Sequence, residues 1–388
     1  MISQTGWIEG LRKYRTLADL KRSAFYAEFR EQTELFLETP QLHFSPDATP
    51  RLDSFLRIAQ WNIEKGKRFD TILDRLRTDD VLKWADILIL NEADQGMCRS
   101  QNRHVALDLA NELGMNMAFG PAHFELTKGT DDELTTEGEN RKSIQGNAIL
   151  SRYPILEARI VRLPQSFEPY EFHEKRFGGR MCLWARLQPR RCAIWVGSVH
   201  LELRNTPGCR AAQMAHVMKN LPGKTGEVHV LGGDLNTNGF ARGTAWRTVK
   251  SVLRLMLKSP SSTKVELIHP ECGREPLFDV LRHCGFAWQD FNSNEETARA
   301  EIDTLEELGY LPVFLARLIK QRLEPYQGYL CFKLDWILGR DLQALRSGQR
   351  RDSRTGVTSL NPASLEGINA GTNRISDHLP IYADLDLA

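Results

Sequence analysis

From residue 55 onward, short and nearly uninterrupted apolar runs alternate with amphipathic stretches of helical spacing. The apolar runs are FLRIAQWNI (55–63), DILILNE (86–92), GNAILSR (146–152), MCLWARL (181–187), AIWVGSVHL (193–201) and VHVLGGDLN (228–236). Helical stretches over 69–85 and 104–114 separate the early runs. Strands that are apolar on both faces belong in sheets whose two faces are both covered. The pattern therefore predicts an α/β protein with helices on both faces of its sheets.

Several of these apolar runs end in a cluster of polar side chains. The clusters are Trp61-Asn62-Ile63-Glu64, Asn91-Glu92, His200, Gly233-Asp234-Leu235-Asn236 and, near the end of the chain, Ser376-Asp377-His378. A single acidic residue after a strand is ordinary, but five clusters of Asn, Glu, Asp and His are not. Because strand ends are rigid platforms at the edge of a sheet, we expect these side chains to meet at a common edge.

The clusters contain oxygen ligands and no sulfur. Glu92 and Asp377, with the amide oxygens of Asn62 and Asn236, offer the carboxylate-rich site that Mg²⁺ or Mn²⁺ prefers. Because the clusters lack cysteine, a zinc or iron–sulfur site is not indicated. The residues therefore predict a site for a hard divalent cation.

Two histidines accompany these oxygen ligands. His200 and His378 can titrate near neutral pH, so they suit proton transfer or the stabilisation of an oxyanion. Asp234 and Asn236 together can position a water molecule. A hard cation, carboxylates and histidines favour hydrolysis at phosphorus. Nothing in the sequence resembles a Gly-x-Ser-x-Gly elbow, a Walker loop or a dinucleotide fingerprint, which argues against the reactions that those motifs serve.

Composition narrows the class of protein further. The 388 residues carry 51 Lys and Arg against 50 Asp and Glu, which gives no support to a globally basic nucleic-acid-binding protein. The seven cysteines are scattered and form no Cys-x-x-Cys pair, so they favour a reducing compartment over a secreted disulfide scaffold. The sequence shows no apolar stretch of signal-peptide length near residue 1 and no run of roughly 18 apolar residues. The expected localisation is cytoplasmic.

Seven motifs, taken together and in order, resemble those of a known family. They are WNIEKG (61–66), LILNEAD (88–94), GNAILSRYPI (146–155), GSVHLE (197–202), LGGDLNT (231–237), KLDWIL (333–338) and ISDHLP (375–380). This set is similar to that of the endonuclease/exonuclease/phosphatase superfamily, the DNase I-like metal-dependent hydrolases. The resemblance implies an α/β sandwich of two packed sheets with helices on the outer faces. It also implies phosphoester hydrolysis that depends on Mg²⁺ or Mn²⁺.

The resemblance assigns four residues to the metal. It implies that Asn62 and Glu92 bind the cation, with Glu64 where relatives often carry a second acidic group, and that Asp377 bears on the metal or on the water. The glutamate motif reads LNE here, whereas many relatives have LQE. Asn91 is expected to face away from the site, so this departure is discounted.

The resemblance assigns the remaining site residues to the reaction itself. It implies that Asp234 and Asn236 orient or activate the attacking water and that His378 acts as an acid–base group or a transition-state donor. Asp335 is expected to hydrogen-bond His378 and fix its tautomer. His200 is expected to contact the scissile phosphate. The implied mechanism is a single-step attack by a water that the metal and the aspartate activate.

Two additions surround the predicted catalytic domain, which spans 51–388. Residues 1–50 are expected to form a helical N-terminal extension that packs on the main domain or binds a partner. A helical insertion is predicted near 240–330. Its stretch 295–326 is interrupted at Gly309 and Pro312, and its second part is amphipathic and basic. Such a helix either packs on its own domain or lies on an anionic membrane surface.

The substrate is less constrained than the reaction. Arg176 and Arg180, in the basic segment HEKRFGGR (173–180), are candidate substrate-binding residues. Six arginines at 340, 346, 350, 351, 354 and 374 form a second basic segment that either binds phosphate or is solvated. A nucleic acid, a phospholipid and a small phosphodiester all remain open as substrates, and no obligate protein partner is evident. The alternative to a phosphodiesterase or nuclease is a non-catalytic binding module on the same fold.

Overall fold

The structure is a computed structural model that describes residues 4–189, 192–224, 226–302, 313–326, 328–369 and 374–386, except positions 243, 245, 248, 249, 252, 253, 255 and 256. Its helices include α1 (Gln4–Arg12), α2 (Leu17–Arg22), α3 (Ala24–Glu38), α4 (Phe69–Thr78), α5 (Val105–Leu113), α6 (Pro207–Lys219), α7 (Pro260–Ile268), α8 (Leu277–His283) and α9 (Val313–Leu323). The strands of the first half are β1 (Gln41–His43), β2 (Leu56–Lys65), β3 (Ile87–Gln95), β4 (Asn116–Glu125), β5 (Ile144–Ser151), β6 (Ile155–Arg162), β7 (Arg176–Gly178) and β8 (Met181–Leu187). Those of the second half are β9 (Ile194–His200), β10 (Val228–Asp234), β11 (Ala298–Glu301), β12 (Tyr329–Phe332), β13 (Asp335–Arg340), β14 (Gln343–Ala344), β15 (Ala363–Ser364) and β16 (Ile381–Asp386).

The strands form two large sheets and one antiparallel pair, β11 with β12. The first sheet has the order β1-β4-β5-β3-β2-β16-β14, with β7 on β4 and β15 on β16, and the second has the order β13-β10-β9-β8-β6. Strands β2 and β3 are parallel, as are β9 and β10. The six predicted apolar runs are β2, β3, β5, β8, β9 and β10, and their ends differ from the predicted ones by at most three residues.

The two large sheets pack face to face, which confirms the sandwich that the motifs implied. Ile58, Ile89 and Ile149 of the first sheet share one buried core with residues of the second sheet such as Val196 and Ile337. Helices α4 and α5 cover the outer face of the first sheet, and α6 and α8 cover that of the second. The expectation of helices on both faces of each sheet was therefore wrong, because an apolar strand face can be covered equally well by another sheet.

Helices α1–α3 pack against the outer face of the first sheet. Leu11 and Leu37 lie in the same core cluster as α4 and α5. Trp7 and Phe36 pack on Phe124 of β4 with ring centroids 5.1 and 5.3 Å away. Residues 41–43 follow as an edge strand on β4. Residues 1–50, where the structure describes them, therefore contribute helices and a strand to the main body of the protein.

The segment 240–330 contains α7, α8, α9 and the β11–β12 pair. Helix α9 buries Ile319 and Leu323 in a small core of this segment, whereas Val313, Phe314 and Leu318 are exposed. The predicted interruption at Gly309 and Pro312 lies outside the described residues. Within the described part of the chain, no helix has the length and apolar character needed to cross a membrane.

A buried carboxyl at the start of β3 makes folding stability sensitive to pH. Asp86 accepts a hydrogen bond from the backbone N–H of Arg51 at 2.7 Å, and burial raises the pKa of its carboxyl to about 7. The folded state thus binds a proton that the unfolded state releases above about pH 4, so stability falls as pH rises from about 4 to about 7. Asp86→Asn should remove this dependence. Its free energy of unfolding relative to wild type should rise by up to about 1.4 kcal/mol per pH unit in that window.

Chemical denaturation between pH 4 and pH 8 measures this difference. Asp290→Asn is the matched control, because the Asp290 side chain is 69% exposed. Parallel stability profiles for wild type and Asp86→Asn would contradict the prediction.

Candidate active site

The structure brings the polar clusters together at one edge of the sandwich. Strand pairing sets Asp234 of β10 beside His200 of β9 on one side and beside Asp335 of β13 on the other. Asn62 of β2 reaches the same point from the first sheet. His378 lies just before β16 and completes the group. The edge position follows from where the strands end, because both sheets terminate their central strands on this side.

Asp234 is the centre of the cluster. Its Oδ2 atom accepts a hydrogen bond from Asn62 Nδ2 at 3.2 Å and lies 3.3 Å from His200 Nε2 and 3.7 Å from His378 Nε2. Its Oδ1 atom accepts from the backbone N–H of Asn236 at 2.9 Å. The side chain of Asp234 is only 3% exposed. One buried carboxylate therefore collects donors from four segments of the chain.

The electrostatics of Asp234 suit a nearby cation. Burial raises the pKa of this carboxyl to about 7; Asp335 and Glu92 add to the rise, whereas His378 opposes it. The carboxylates thus repel one another in a place from which water is largely excluded. A positive charge placed among them relieves that repulsion, so the donor set fits a divalent cation.

His378 is held by a carboxylate behind it. Its Nδ1 atom lies 2.7 Å from Asp335 Oδ2, and Asp335 Oδ1 accepts from Gln60 Nε2 at 3.0 Å. Burial alone lowers the pKa of His378, but Asp335, Asp234 and Asp377 outweigh it and raise this pKa well above its ordinary value. Because Asp335 holds Nδ1, the Nε2 atom of His378 is the one that faces Asp234 at the centre of the site.

The pKa of His200 is shifted in the opposite direction to that of His378. The guanidinium of Arg180 donates from Nη1 to His200 Nδ1 at 2.8 Å, and since a guanidinium only donates, the proton of the neutral ring is on Nε2. Burial, and then the charges of Arg180 and His378, lower the pKa of His200 well below its ordinary value. The two histidines of the site thus have pKa values shifted in opposite directions, an arrangement that separates their chemical roles.

Unusual backbone conformations aim these side chains. Glu64, Glu92 and Asn236 have φ of +45°, +55° and +51°, values that non-glycine residues seldom adopt. The pairing of β2 with β3 shifts register between Asn62 and Lys65, where the strands leave the regular ladder. Gly233 has φ +152°, and a Cβ there would lie 1.8 Å from the carbonyl oxygen of Val199. Only glycine allows β10 to approach β9 closely at this point.

The four predicted metal ligands lie around Asp234, and they differ in how far other side chains already pair with them. Glu92 and Asp377 line the open cleft beside the cluster. Burial raises the pKa of Asp377, but His378, Arg374 and Lys65 outweigh it and lower this pKa. Glu64 forms an ion pair with Lys67 at 2.7 Å, and its backbone N–H donates to Asn62 Oδ1 at 3.2 Å. Glu92 and Asp377 are therefore the carboxylates best placed for a cation that enters from the cleft.

Asp234, Asp335 and His378 also form a group of buried potential metal ligands. Their nearest ligand atoms lie within 4.8 Å of one another. Two of the three residues are joined to each other, because His378 Nδ1 faces Asp335 Oδ2 in a hydrogen bond. This group accordingly fits an acid–base assembly better than a set of ligands to one ion.

Two buried amides between the sheets were missed or misplaced by the sequence reasoning. Asn91 was expected to face away from the site; instead its Oδ1 atom accepts from the backbone N–H of Asp234 at 2.8 Å and from Gln60 Nε2 at 3.2 Å. Gln60 in turn holds Asp335. The signal for both was a polar amide inside an otherwise apolar strand, since a buried amide must find hydrogen-bond partners.

The two candidate substrate-binding arginines differ. Arg180 touches His200 and lies 3.8 Å from Glu202, so it belongs to the site. Arg176 forms ion pairs with Glu125 at 3.1 Å and with Glu174, and its charge is balanced within the protein. Both side chains line the cleft.

The arginines of 340–376 are mostly engaged elsewhere. Arg346 and Arg350 form ion pairs with Asp290 and Asp386, and Arg354 donates to backbone carbonyls of residues 50 and 51. Arg374 lines the cleft and lies 3.9 Å from Asp377. Of this segment, Arg374 is the residue placed to meet a substrate.

The cleft itself has a volume of about 700 Å³. Among the described residues, its lining combines seven basic and eight acidic side chains with Phe167, Pro169 and Phe172, the basic ones being Lys65, Lys67, Arg68, Arg176, Arg180, Arg204 and Arg374. Its mixed charge differs from the uniformly positive groove that a long polyanion requires. A compact ligand with a limited number of charges fits it better.

Comparison with known proteins gives the following similarities. Among solved structures, an endonuclease/exonuclease/phosphatase from Beutenbergia cavernae is 15% identical, covers 87% of this chain and 72% of its own, and has a TM-score of 0.49. A family protein from Leptotrichia buccalis is 12% identical over 84% of this chain and 98% of its own, with a TM-score of 0.47. The human Nocturnin catalytic domain with bound sulfate is 16% identical over 89% and 97%, with a TM-score of 0.43.

A search of curated proteins found no match. A family model described as "Endonuclease/Exonuclease/phosphatase family" matches residues 59–378. The matched range includes all of the predicted site residues, from Asn62 to His378.

Proposed function

The chain belongs to the endonuclease/exonuclease/phosphatase family, and from this premise we propose that it is a divalent-metal-dependent phosphodiesterase. The observation that carries the proposal is the environment of Asp234. This buried carboxylate lies within 3.7 Å of donor atoms from Asn62, His200 and His378, beside the cleft that Glu92 and Asp377 line. Such a convergence of acid, base and charge suits hydrolysis at phosphorus.

Each residue of the cluster around Asp234 has a separate role in the proposed hydrolysis. Asp234 accepts a proton from the attacking water, while the backbone N–H of Asn236 keeps its carboxylate oriented. His378 donates a hydrogen bond from Nε2 to a phosphoryl or leaving-group oxygen, because Asp335 occupies its other nitrogen. His200 donates from Nε2 and presents no positive charge of its own. Arg180 fixes that tautomer.

A metal fits beside these residues. The proposed ligands are Glu92, Asp377 and the amide oxygen of Asn62, with Glu64 nearby, and they match the oxygen preference of Mg²⁺ or Mn²⁺. A cation bound there supplies charge neutralisation for the phosphoryl oxygens.

The cleft favours a small phosphodiester as substrate over a long nucleic acid. Its volume of about 700 Å³ is that of a small-molecule site, and the acidic and basic side chains of its described lining nearly balance. A phospholipid is the second candidate, because Val313, Phe314 and Leu318 expose an apolar face on α9. As part of the proposal, the protein acts in a reducing compartment such as the cytoplasm, since its seven cysteines are scattered through the sequence.

Removal of metal should abolish activity and lower thermal stability. EDTA should silence turnover, and Mg²⁺ or Mn²⁺ should restore it and raise the Tm, because an ion that binds the folded state alone stabilises it. Glu92→Gln should lose most of the Tm increase. Glu112→Gln, which alters a half-exposed carboxylate on α5, is the matched control and should keep that increase. An equal Tm response in wild type and Glu92→Gln would contradict the assignment of Glu92.

A substrate screen tests the function itself. Purified protein with Mg²⁺ or Mn²⁺ is incubated with single- and double-stranded nucleic acids, sphingomyelin vesicles, inositol phosphates and bis-p-nitrophenyl phosphate. We expect turnover of the small diester. Preference for vesicles or for nucleic acid would redirect the substrate class. No metal-dependent turnover of any of them would favour a binding module that has kept the fold without the chemistry.

A further inference from the structure

One wall of the active-site cleft is the segment 163–180, which connects β6 to β8. Its side chains point in two directions. Phe167, Phe172 and Arg180 line the cleft. Tyr170 and Phe177 are buried on the opposite side, in the core cluster that also contains residues of α1–α3. The wall is therefore one layer of chain between the cleft and the N-terminal helices.

The N-terminal helices hold this wall through polar contacts. The hydroxyl of Tyr170 donates to the carbonyl oxygens of Leu11 and Tyr14, the latter at 3.3 Å. Lys175 Nζ donates to the carbonyl oxygens of Arg12, at 3.0 Å, and Tyr14. These carbonyls lie at and just beyond the C-terminus of α1, where a helix leaves its acceptors unpaired and attracts a cation. The contacts thus give hydrogen-bond donors to the carbonyls at the end of α1 and acceptors to Tyr170 and Lys175.

Further contacts extend this support along the wall. The backbone N–H of Leu17 at the start of α2 donates to Glu171 Oε1 at 3.3 Å. The rings of Tyr26 on α3 and Phe177 on β7 lie 5.9 Å apart. The wall is fastened to the sheet as well, because β7 pairs with the end of β4.

The other side of the wall reaches the site. Arg180 donates to His200, which lies 3.3 Å from Asp234. The guanidinium of Arg204 stacks over the ring of Phe172 at 4.3 Å. A displacement of the wall would move Arg180 and Phe172 together and alter both the fit of a substrate and the support of His200.

We infer that α1 and α2, which lie outside the range matched by the family model, are part of the substrate-binding machinery of this chain. Tyr170 and Lys175 are positioning residues that fix the cleft wall from behind. The inference rests on the proposed function for its kinetic consequence, whereas the support of the wall is a property of the folded protein alone.

The test uses the full chain with Tyr170→Phe and Lys175→Met combined. These changes keep the ring and the aliphatic stem, so they remove the polar contacts and little packing. The matched control combines Tyr329→Phe and Lys264→Met, both exposed and distant in sequence from the wall. Amide hydrogen exchange over 163–180 should become about fivefold to tenfold faster in the double variant and stay unchanged in the control.

Kinetics supply the second readout. The substrate is the p-nitrophenyl ester of thymidine 5′-monophosphate, a diester larger than bis-p-nitrophenyl phosphate. KM should rise about fivefold to tenfold in the double variant while kcat stays within about twofold, because substrate fit is loosened and the reacting groups remain. A merely destabilised protein would lose active molecules and therefore kcat.

The outcomes distinguish failure of the inference about α1 and α2 from failure of the proposed phosphodiesterase function. Unchanged exchange over 163–180 would overturn the inference, as would faster exchange with an unchanged KM. If the wild type fails to turn over this diester or any other substrate, the proposed function fails, and the exchange result alone then decides whether the helices hold the wall. Tyr170→Phe alone provides the same comparison if the double variant does not fold.

Discussion

Asp234→Asn should lower kcat by about 10²- to 10⁴-fold, the range that a positioned proton acceptor contributes. The substitution keeps the shape of the side chain and removes the acceptor strength of an oxygen that faces His200 at 3.3 Å and His378 at 3.7 Å. KM should change far less, because the substrate-facing cleft is intact. Steady-state kinetics on the diester found in the screen, at saturating Mg²⁺ or Mn²⁺, measure the effect.

Stability distinguishes this loss from unfolding. Burial, with Asp335 and Glu92, outweighs the attraction of His378 and raises the pKa of Asp234, so removal of its charge should leave the Tm unchanged or higher. Asp290→Asn, on an exposed carboxylate, should change neither activity nor Tm. Near-normal turnover by Asp234→Asn would exclude it as the proton acceptor. If the Tm of Asp234→Asn falls so far that the variant is largely unfolded at the assay temperature, the residue is structural.

The strands that carry the site could be predicted from the sequence because their signal is local. A short apolar run rich in Ile and Leu and bounded by polar residues, such as DILILNE, is typical of a buried strand, so the polar residues that end it are expected at a sheet edge. For this reason the sequence alone predicts that Glu92 and Asp234 lie at one edge. The order of the motifs then supplied the sandwich, which local patterns alone did not distinguish from a single sheet between two helical layers.

The parts that could not be predicted depend on contacts between distant residues. Gln60 holds Asp335 across 275 positions of the sequence, and Asn91 holds the backbone of Asp234 across 143. No spacing rule relates such pairs. Strand β4 was missed because NMAFGPAHFE contains Gly, Pro and His, which are uncommon inside a regular strand. Near the end of this strand, His123 faces the cleft and Phe124 faces the N-terminal helices.

The basic segment 340–376 shows that a pattern of charges in the sequence does not reveal contacts between distant residues either. Six arginines in one stretch predicted either a phosphate site or a solvated loop. The structure leaves four of them exposed, in agreement with the solvated loop: Arg346, Arg350, Arg351 and Arg354. Arg354 donates to carbonyls near residue 50 and Arg350 pairs with Asp386 of β16, so they fasten the segment to the sheet. Arg374 is the one that lines the cleft. Charge count in a sequence does not reveal which charges are already paired.

His378→Gln should lower kcat by about 10²- to 10⁴-fold, because it removes the imidazole ring while a polar side chain of similar reach remains. The ring meets two sets of partners at once, because Nδ1 is held by Asp335 at 2.7 Å and Nε2 faces Asp234 in the site. A glutamine amide can meet one of these partners but carries no charge for a developing oxyanion. Steady-state kinetics on the same diester, with His283→Gln on the exposed end of α8 as the matched control, measure the change.

Asp335→Asn tests whether Asp335 acts through His378. Alone it should lower kcat by about 10- to 100-fold, the usual effect of losing the partner that orients a functional histidine. If Asp335 acts only by orienting and charging His378, the double variant Asp335→Asn with His378→Gln should be no slower than His378→Gln. Multiplicative losses would instead give Asp335 a separate role, such as ligating a metal together with Asp234, to which its nearest carboxylate oxygen is close. The cycle thus decides between the two arrangements that the buried group of Asp234, Asp335 and His378 allows.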